Sequence, residues 1–328
     1  MRHFACFFMG LRKIDKKTKG DASMKQIRTD LALESSEAAG QIPGVSIASW
    51  EESGVVITEV IIETEESAES LSKPMGKYIT LECEGVRTRD PMAYDALAFI
   101  LAEEISRLLP PDENGESALI VGLGNRLVTP DALGPKTADG ILVTRHLFKE
   151  LPDETDDRLS SVCAICPGVL GVTGIETMES VKSIVSAVKP RVIICIDALA
   201  ARSSKRVGVS IQLSDVGIQP GSGVGNHRRA ITKEELGVPV IAIGMPTVVY
   251  ASTIARDALY LMSEGEAEEE MLDKITKTLF ENEIGEMIVT PREIDDMIED
   301  AAGIIARAIN ISLQDHLSSA ELDGLTKR

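Results

Sequence analysis

The sequence predicts an α/β fold, with a mostly parallel or mixed sheet flanked by helices. Short, continuous apolar runs recur through the middle of the chain, and segments with helical spacing separate several of them. A continuous run, unlike an alternating one, marks a strand covered on both faces. Strand–helix alternation is the pattern of a sheet with parallel strands. The apolar fraction is 44% and the aromatic fraction only 3%, so the core is built mainly from Val, Ile, Leu, Ala and Met.

In chain order, residues 1 to about 40 show no sustained periodicity and read as a mobile leader, with Met24 placed to serve as a start. Val55–Ile62 and Tyr78–Cys83 read as strands, and the acidic, Ser-rich stretch Glu63–Lys73 between them as a loop or insertion. Pro91–Leu109 has helical spacing, with Ala96, Ile100, Ile105, Leu108 and Leu109 in its apolar set. Ala118–Gly122, Val162–Cys166, Arg191–Asp197 and Pro239–Gly244 are the four continuous runs, and Thr177–Val188 and Val248–Met262 are helical. From Glu264 onward the chain is acidic and amphipathic, in two or three helices.

A net charge of −18 argues against a nucleic-acid surface, which needs clustered Lys and Arg. The apolar start Phe4–Met9 is too short to span a bilayer. Most of its nearby positive charge follows it, the reverse of a secretory signal. Five cysteines without a disulfide-framework spacing fit a reducing, cytoplasmic compartment. His3, His146, His227 and His316 have no metal-ligand spacing, so no metal or other cofactor is implied. Cys163 and Cys166, three apart in a strand-like run, would point to opposite faces as buried core cysteines. Ser222 lacks the glycine spacing of a nucleophile elbow.

Parallel sheets collect ligands at the carboxyl ends of their strands, and two aspartates fall there. In Gly122–Pro135 a strand runs into a Gly-rich turn; Thr129 would cap a helix, Pro130 would open it and Asp131 would lie in its first turn. Asp197 closes the apolar run Arg191–Asp197. Two carboxyls brought close share a proton, one serving as acid and the other as base, and such a pair can activate water against a peptide carbonyl. On spacing alone the plainer roles stay open: Asp131 favouring its helix dipole and Asp197 capping a turn. Gly122, Gly124 and Asn125, with Gly221, Ser222, Gly223 and Asn226, form loops whose backbone could approach a substrate strand or an oxyanion. The same glycines admit a rival, a nucleotide-binding α/β oxidoreductase or a non-catalytic binding protein. Neither loop completes G-x-G-x-x-G, because Leu127 and Asn226 stand at the third glycine position.

Several blocks in chain order resemble the germination protease family of spore-forming bacteria. They are Arg28–Glu34, Gly122–Pro135, Val143–Leu147, Pro167–Thr177, Ile196–Arg202, Gly221–Asn226 and Leu236–Thr247. The resemblance implies an atypical aspartic endopeptidase with a fold similar to the hydrogenase maturation proteases. It also implies a homotetramer without a cofactor, located in the forespore or spore core. The substrates would be small acid-soluble spore proteins, degraded at germination, with no direct nucleic-acid partner and no membrane. Asp131 and Asp197 match the family's proposed catalytic residues. The family is made as a self-processing zymogen, and its substrates are cut after an acidic residue and before apolar-Ala-(Ser/Thr)-Glu. Asp30 followed by Leu31-Ala32-Leu33-Glu34 matches this pattern, with Leu33 in place of the small hydroxyl residue. The expected processing bond is therefore Asp30–Leu31. Residues 1–30 would be the leader or propeptide and 31–328 a single α/β peptidase domain, whose acidic helical part covers about 264–328.

Overall fold

The structure, a computed structural model, describes residues 29–112, 115–221, 228–263 and 287–326, with 272, 274 and 278 between the last two segments. Its strands are β1 (Val45–Glu52), β2 (Val55–Ile62), β3 (Gly76–Glu82), β4 (Ala118–Gly122), β5 (Val162–Ile165), β6 (Val192–Ala201), β7 (Ser210–Ser214), β8 (Val240–Tyr250) and β9 (Ile288–Val289). Among the described residues they form one sheet in the order β1-β2-β3-β7-β8-β6-β4-β5, with β9 against the end of β8. β8, β6, β4 and β5 run parallel, while β1, β2, β3 and β7 form an antiparallel wing. The sheet is thus mixed, as predicted, and the four continuous apolar runs supply its parallel part.

Among the described residues, the α-helices longer than four residues are α1 (Ala32–Ala39), α2 (Glu65–Leu71), α3 (Pro91–Leu108), α4 (Leu133–Asp139), α5 (Arg145–Glu150), α6 (Thr177–Val188), α7 (Ala251–Met262), α8 (Ile294–Leu313) and α9 (Ser319–Thr326). Alternation along β6 shows why its run is continuous. Val192, Ile194 and Ile196 join the cluster containing Leu97, Leu101 and Ile105 of α3 and Ile298, Ile305 and Ile309 of α8. Ile193 and Cys195 join the other cluster, with Met178, Val181 and Val185 of α6. Each fully buried Leu or Ile side chain contributes about 1.5–3 kcal/mol, so both faces must stay apolar. Local signals agree with this packing: α3 starts on Pro91, and the Asp90 side chain caps it by accepting the Met92 N–H at 3.0 Å.

Several expectations are corrected. Glu63–Lys73 is not a loop, because Thr64 and Ser67 form a capping box that starts α2. The part of the expected leader from Ala32 to Ala39 is a docked helix, with Ala32, Leu33, Glu34 and Ser36 buried. The leader before Thr29, including Met24, lies outside the described residues. β1 and β7 were not anticipated; β1 is largely exposed, which blurs its pattern. Val248–Tyr250 continues β8 rather than starting a helix. β6 continues four residues beyond Asp197, to Ala201. Cys166 lies past the end of the edge strand β5 and is exposed, so it is not a core cysteine, while Cys163 is half-buried and packs against the cluster around Leu119 and Val121. Of the acidic tail, α8 and α9 are helical as expected, and most of 264–286 lies outside the described residues. Among the described residues no helix is long and apolar enough to cross a membrane.

Candidate active site

Asp197 stands where the sheet changes partners. β4 pairs with β6 only as far as Ile196, and beyond it β6 pairs with β8 alone. The open edge created there receives the turn that follows β4. Leu123 N–H donates to the Ile196 carbonyl at 2.8 Å. α4 packs so closely on this edge that a Cβ on Gly134 would lie 2.5 Å from the Ile196 oxygen, and one on Gly122 would lie 2.4 Å from the Gly134 oxygen. Glycine at both positions lets the helix seat against the strand end.

Asp131 is placed by this packing and by a bulge. The turn Thr129–Asp131 is a single 3-10 turn, and α4 starts two residues later; Thr129 makes no side-chain cap, contrary to the sequence expectation. Opposite it the β6–β8 register slips, with Leu199 facing Pro246 and Ala200 facing Val248. The extra residue, Thr247, donates its hydroxyl to the Pro130 carbonyl at 2.8 Å. A proline that cannot donate to the ladder suits a bulge, and here the bulge pins Asp131. Gly124, at φ +106, has no alternative, since a Cβ there would meet the Asp131 carbonyl oxygen at 2.1 Å.

Burial pushes the pKa of the Asp197 carboxyl well above its ordinary value, and the negative charges of Asp131 and Asp30 push it further. The Ala198 N–H, 3.0 Å from Asp197 Oδ1, opposes this weakly. Asp131 is also raised, again mainly by burial, with the Asn125 N–H and the positive charge of Arg228 pulling the other way. The charge of Asp131 is thus one of the causes that raise Asp197, and Asp197 is the more strongly raised of the two carboxyls.

Asp30 is the third charge in this group, and the chain around it is tightly held. Its N–H donates to the Ala200 carbonyl at 2.9 Å, and its Oδ2 accepts the Ala200 N–H at 2.9 Å. Leu31 is fully buried among Leu199, Ala201, Val207 and Val249. Ala32 is buried with Val60, Ile62, Leu71 and Tyr78. Gln212 of β7 brackets the segment, its Oε1 accepting the Ala32 N–H at 2.7 Å and its Nε2 donating to the Asp30 carbonyl at 3.2 Å. Lys73 Nζ donates to the Thr29 and Asp30 carbonyls at 2.9 and 3.0 Å. Glu34 is buried, and its carboxylate accepts the N–H groups of Arg202 and Ser203 at 2.6 and 2.9 Å and the Thr29 hydroxyl. Arg206 Nη1 lies 3.6 Å from Glu34 and makes closer pairs with Glu37 and Glu82.

Of the residues singled out in the sequence, Asp131 and Asp30 lie near enough to Asp197 for their charges to raise its pKa, and Leu31 follows Asp30 in the docked segment. Gly122 and Gly124 allow close approach, but to the protein's own backbone. Asn125 turns its side chain to the Leu127 N–H at 3.0 Å, closing the turn. Gly221 sits in a turn at φ +72. Ser222, Gly223 and Asn226 lie outside the described residues. Lys73, Gln212 and Arg206 were not singled out, and Glu34 was named only as the glutamate of the processing pattern. The one signal that could have found Lys73 is its position as the sole cation in an acidic stretch.

Comparison with known proteins adds a family. A family model for "Germination protease" matches residues 22–283. The germination protease of Clostridium perfringens (strain SM101) is 44% identical over 317 aligned positions, spanning 90% of this chain and 97% of that protein. That of Caldanaerobacter subterraneus subsp. tengcongensis is 46% identical, spanning 91% and 98%. That of Bacillus thuringiensis subsp. konkukian is 40% identical, spanning 89% and 95%. Among solved structures, the NiFe hydrogenase maturation protease HycI from Thermococcus kodakarensis KOD1 is similar over 64% of this chain and 98% of its own. Its identity is 19% and its TM-score 0.34, a likeness too loose to carry a mechanism.

Proposed function

This chain belongs to the germination protease family, and from that membership we propose an aspartate-dependent endopeptidase, made as a precursor that cuts its own Asp30–Leu31 bond. Its substrates are the small acid-soluble spore proteins, whose breakdown it starts at germination. It works in the forespore or spore core as a homotetramer and needs no cofactor. The observation that carries this reading is the seating of Asp30: its charge is felt by Asp197 together with that of Asp131, and the residues on both sides of the Asp30–Leu31 bond are fixed.

The division of labour follows from the acidities. Asp197, pushed furthest up, carries the shared proton, and Asp131 is the ionised partner. Asp131 takes a proton from water as it adds to the Asp30 carbonyl carbon, and Asp197 supplies a proton to the departing Leu31 nitrogen. A positioned acid or base of this kind contributes about 10²–10⁴-fold. An incoming spore protein would use the contacts that Asp30–Glu34 makes. Its acidic residue would face the Ala200 N–H, its apolar residue the Leu199 and Val207 pocket, and its glutamate the N–H pair at Arg202 and Ser203.

The test is the mass of the N-terminus after the full-length protein is incubated under mildly acidic conditions. A new terminus at Leu31, followed by cleavage of added small acid-soluble spore protein after an acidic residue, is expected. A chain that stays intact, or is cut elsewhere, overturns the reading.

A further inference from the structure

Two carboxyls move protons, but they leave one charge unanswered. As water adds to the Asp30 carbonyl carbon, the carbonyl oxygen takes the electron pair and becomes an oxyanion. Donors already aimed at that oxygen are the strongest single source of rate in acyl transfer. The expected source was the glycine loops, yet Gly122 and Gly124 face the protein's own backbone. Among the described residues, Lys73 Nζ at 3.0 Å and Gln212 Nε2 at 3.2 Å reach the Asp30 oxygen.

We propose that Lys73 and Gln212 are further catalytic residues, an oxyanion-holding pair for the cut at Asp30–Leu31. The proposal rests on the reading that this bond is the one the aspartates cleave. Both donors are held before the reaction begins. Gln212 reaches from β7 with its Oε1 on the Ala32 N–H, which fixes Nε2 toward Asp30. Lys73 follows α2 after Ser72, a residue in the left-handed conformation that turns the chain back toward the segment. Its ammonium is seated between the Thr29 and Asp30 carbonyls, enclosed and close to the carboxylates of Asp30 and Glu34. The nitrogen of the same peptide bond is held as well, because the Leu31 N–H donates to Thr29 Oγ1 at 3.1 Å.

The step balances with water as the only co-reactant. The water oxygen bonds to the Asp30 carbon, and its proton passes to the ionised carboxylate of the pair. The carbonyl electron pair moves to the oxygen between Lys73 and Gln212. On collapse the carbon–nitrogen bond breaks, and the Leu31 nitrogen takes a proton and leaves as an amine. Asp30 then ends in a carboxyl group.

The experiment follows the Leu31 terminus over time in full-length wild type, Lys73→Met, Lys73→Arg, Gln212→Leu and Gln212→Glu. Amide exchange of residues 29–39 is measured on the same samples. Lys73→Met and Gln212→Leu should each slow the cut about 10²–10³-fold. Lys73→Arg, which keeps a cationic donor, should recover most of the rate. Cutting by both Lys73→Met and Gln212→Leu within about threefold of wild type would overturn the inference. So would a rate loss no larger than the loss of protection in 29–39, since the residues would then only anchor the segment. Should Lys73→Met fail to fold, Gln212→Glu decides, because it keeps the shape and replaces the donor with an acceptor. A wild type that never forms the Leu31 terminus sinks both this inference and the reading beneath it. A normal wild type beside a normal Lys73→Met and Gln212→Glu sinks this inference alone.

Discussion

Removing the Glu34 carboxylate should undock the segment that carries the processing bond. Glu34 is buried, and it answers the N–H groups of Arg202 and Ser203 at 2.6 and 2.9 Å. In Glu34→Ala both donors lose their acceptor, and a buried donor left unpaired costs about 1–3 kcal/mol. Arg206 is not stranded, since it keeps Glu37 at 2.7 Å and Glu82 at 2.8 Å. The net loosening is therefore about 2–6 kcal/mol, or roughly 30- to 20,000-fold more frequent opening at about 1.4 kcal/mol per tenfold. Amide exchange of peptides covering residues 29–39 measures this directly, and the core strands β4 and β6 serve as the internal control. The rate of the Leu31 cut should fall in parallel. Glu34→Gln keeps one acceptor oxygen and should lie between alanine and wild type. Unchanged exchange in 29–39 for Glu34→Ala would show that the carboxylate does not hold the segment, and the docking argument would fail with it.

Three further outcomes follow from the site. Asp197 binds its proton more tightly in the fold than in the unfolded chain, so stability falls as pH rises from the ordinary carboxylate range to the raised value. Asp197→Asn removes that penalty; thermal melts should show it more stable than wild type at about pH 7 and no different near pH 4. The single-turnover cut should give a bell-shaped pH profile, failing on the acid side as Asp131 takes a proton and on the alkaline side as Asp197 loses one; a flat profile would contradict the shared proton. In Gly124→Ala the new methyl would sit 2.1 Å from the Asp131 carbonyl oxygen at a φ of +106. Shifting Asp131 by about 1 Å should slow processing about 10²-fold, read by the same mass assay against a melt that shows the fold retained.

Much of this was legible in the sequence because the parallel strands are covered on both sides. Ile193 and Ile194 face different helices, so both must be apolar, and the run announces itself. The apolar run before Asp197 was legible for the same reason, but that its strand continues to Ala201 after β4 leaves it was not. The bulge at Thr247 was not, since a register slip leaves no local pattern. The docked segment was hidden too. Leu31 and Ala32 are buried by Leu199, Val207, Val60 and Leu71, partners that lie far away in sequence, and α1 is only eight residues long. Gln212 and Lys73 share that obscurity: each acts through contacts with a segment about 40 to 180 residues earlier in the chain, and neither carries a motif.

The central claim is that Asp131 and Asp197 act together on the Asp30–Leu31 bond. Its most direct test is the N-terminal mass of Asp131→Asn and Asp197→Asn after incubation beside wild type. Both variants should remain uncut while wild type gains a Leu31 terminus. A Leu31 terminus formed by either variant at the wild-type rate would contradict the claim.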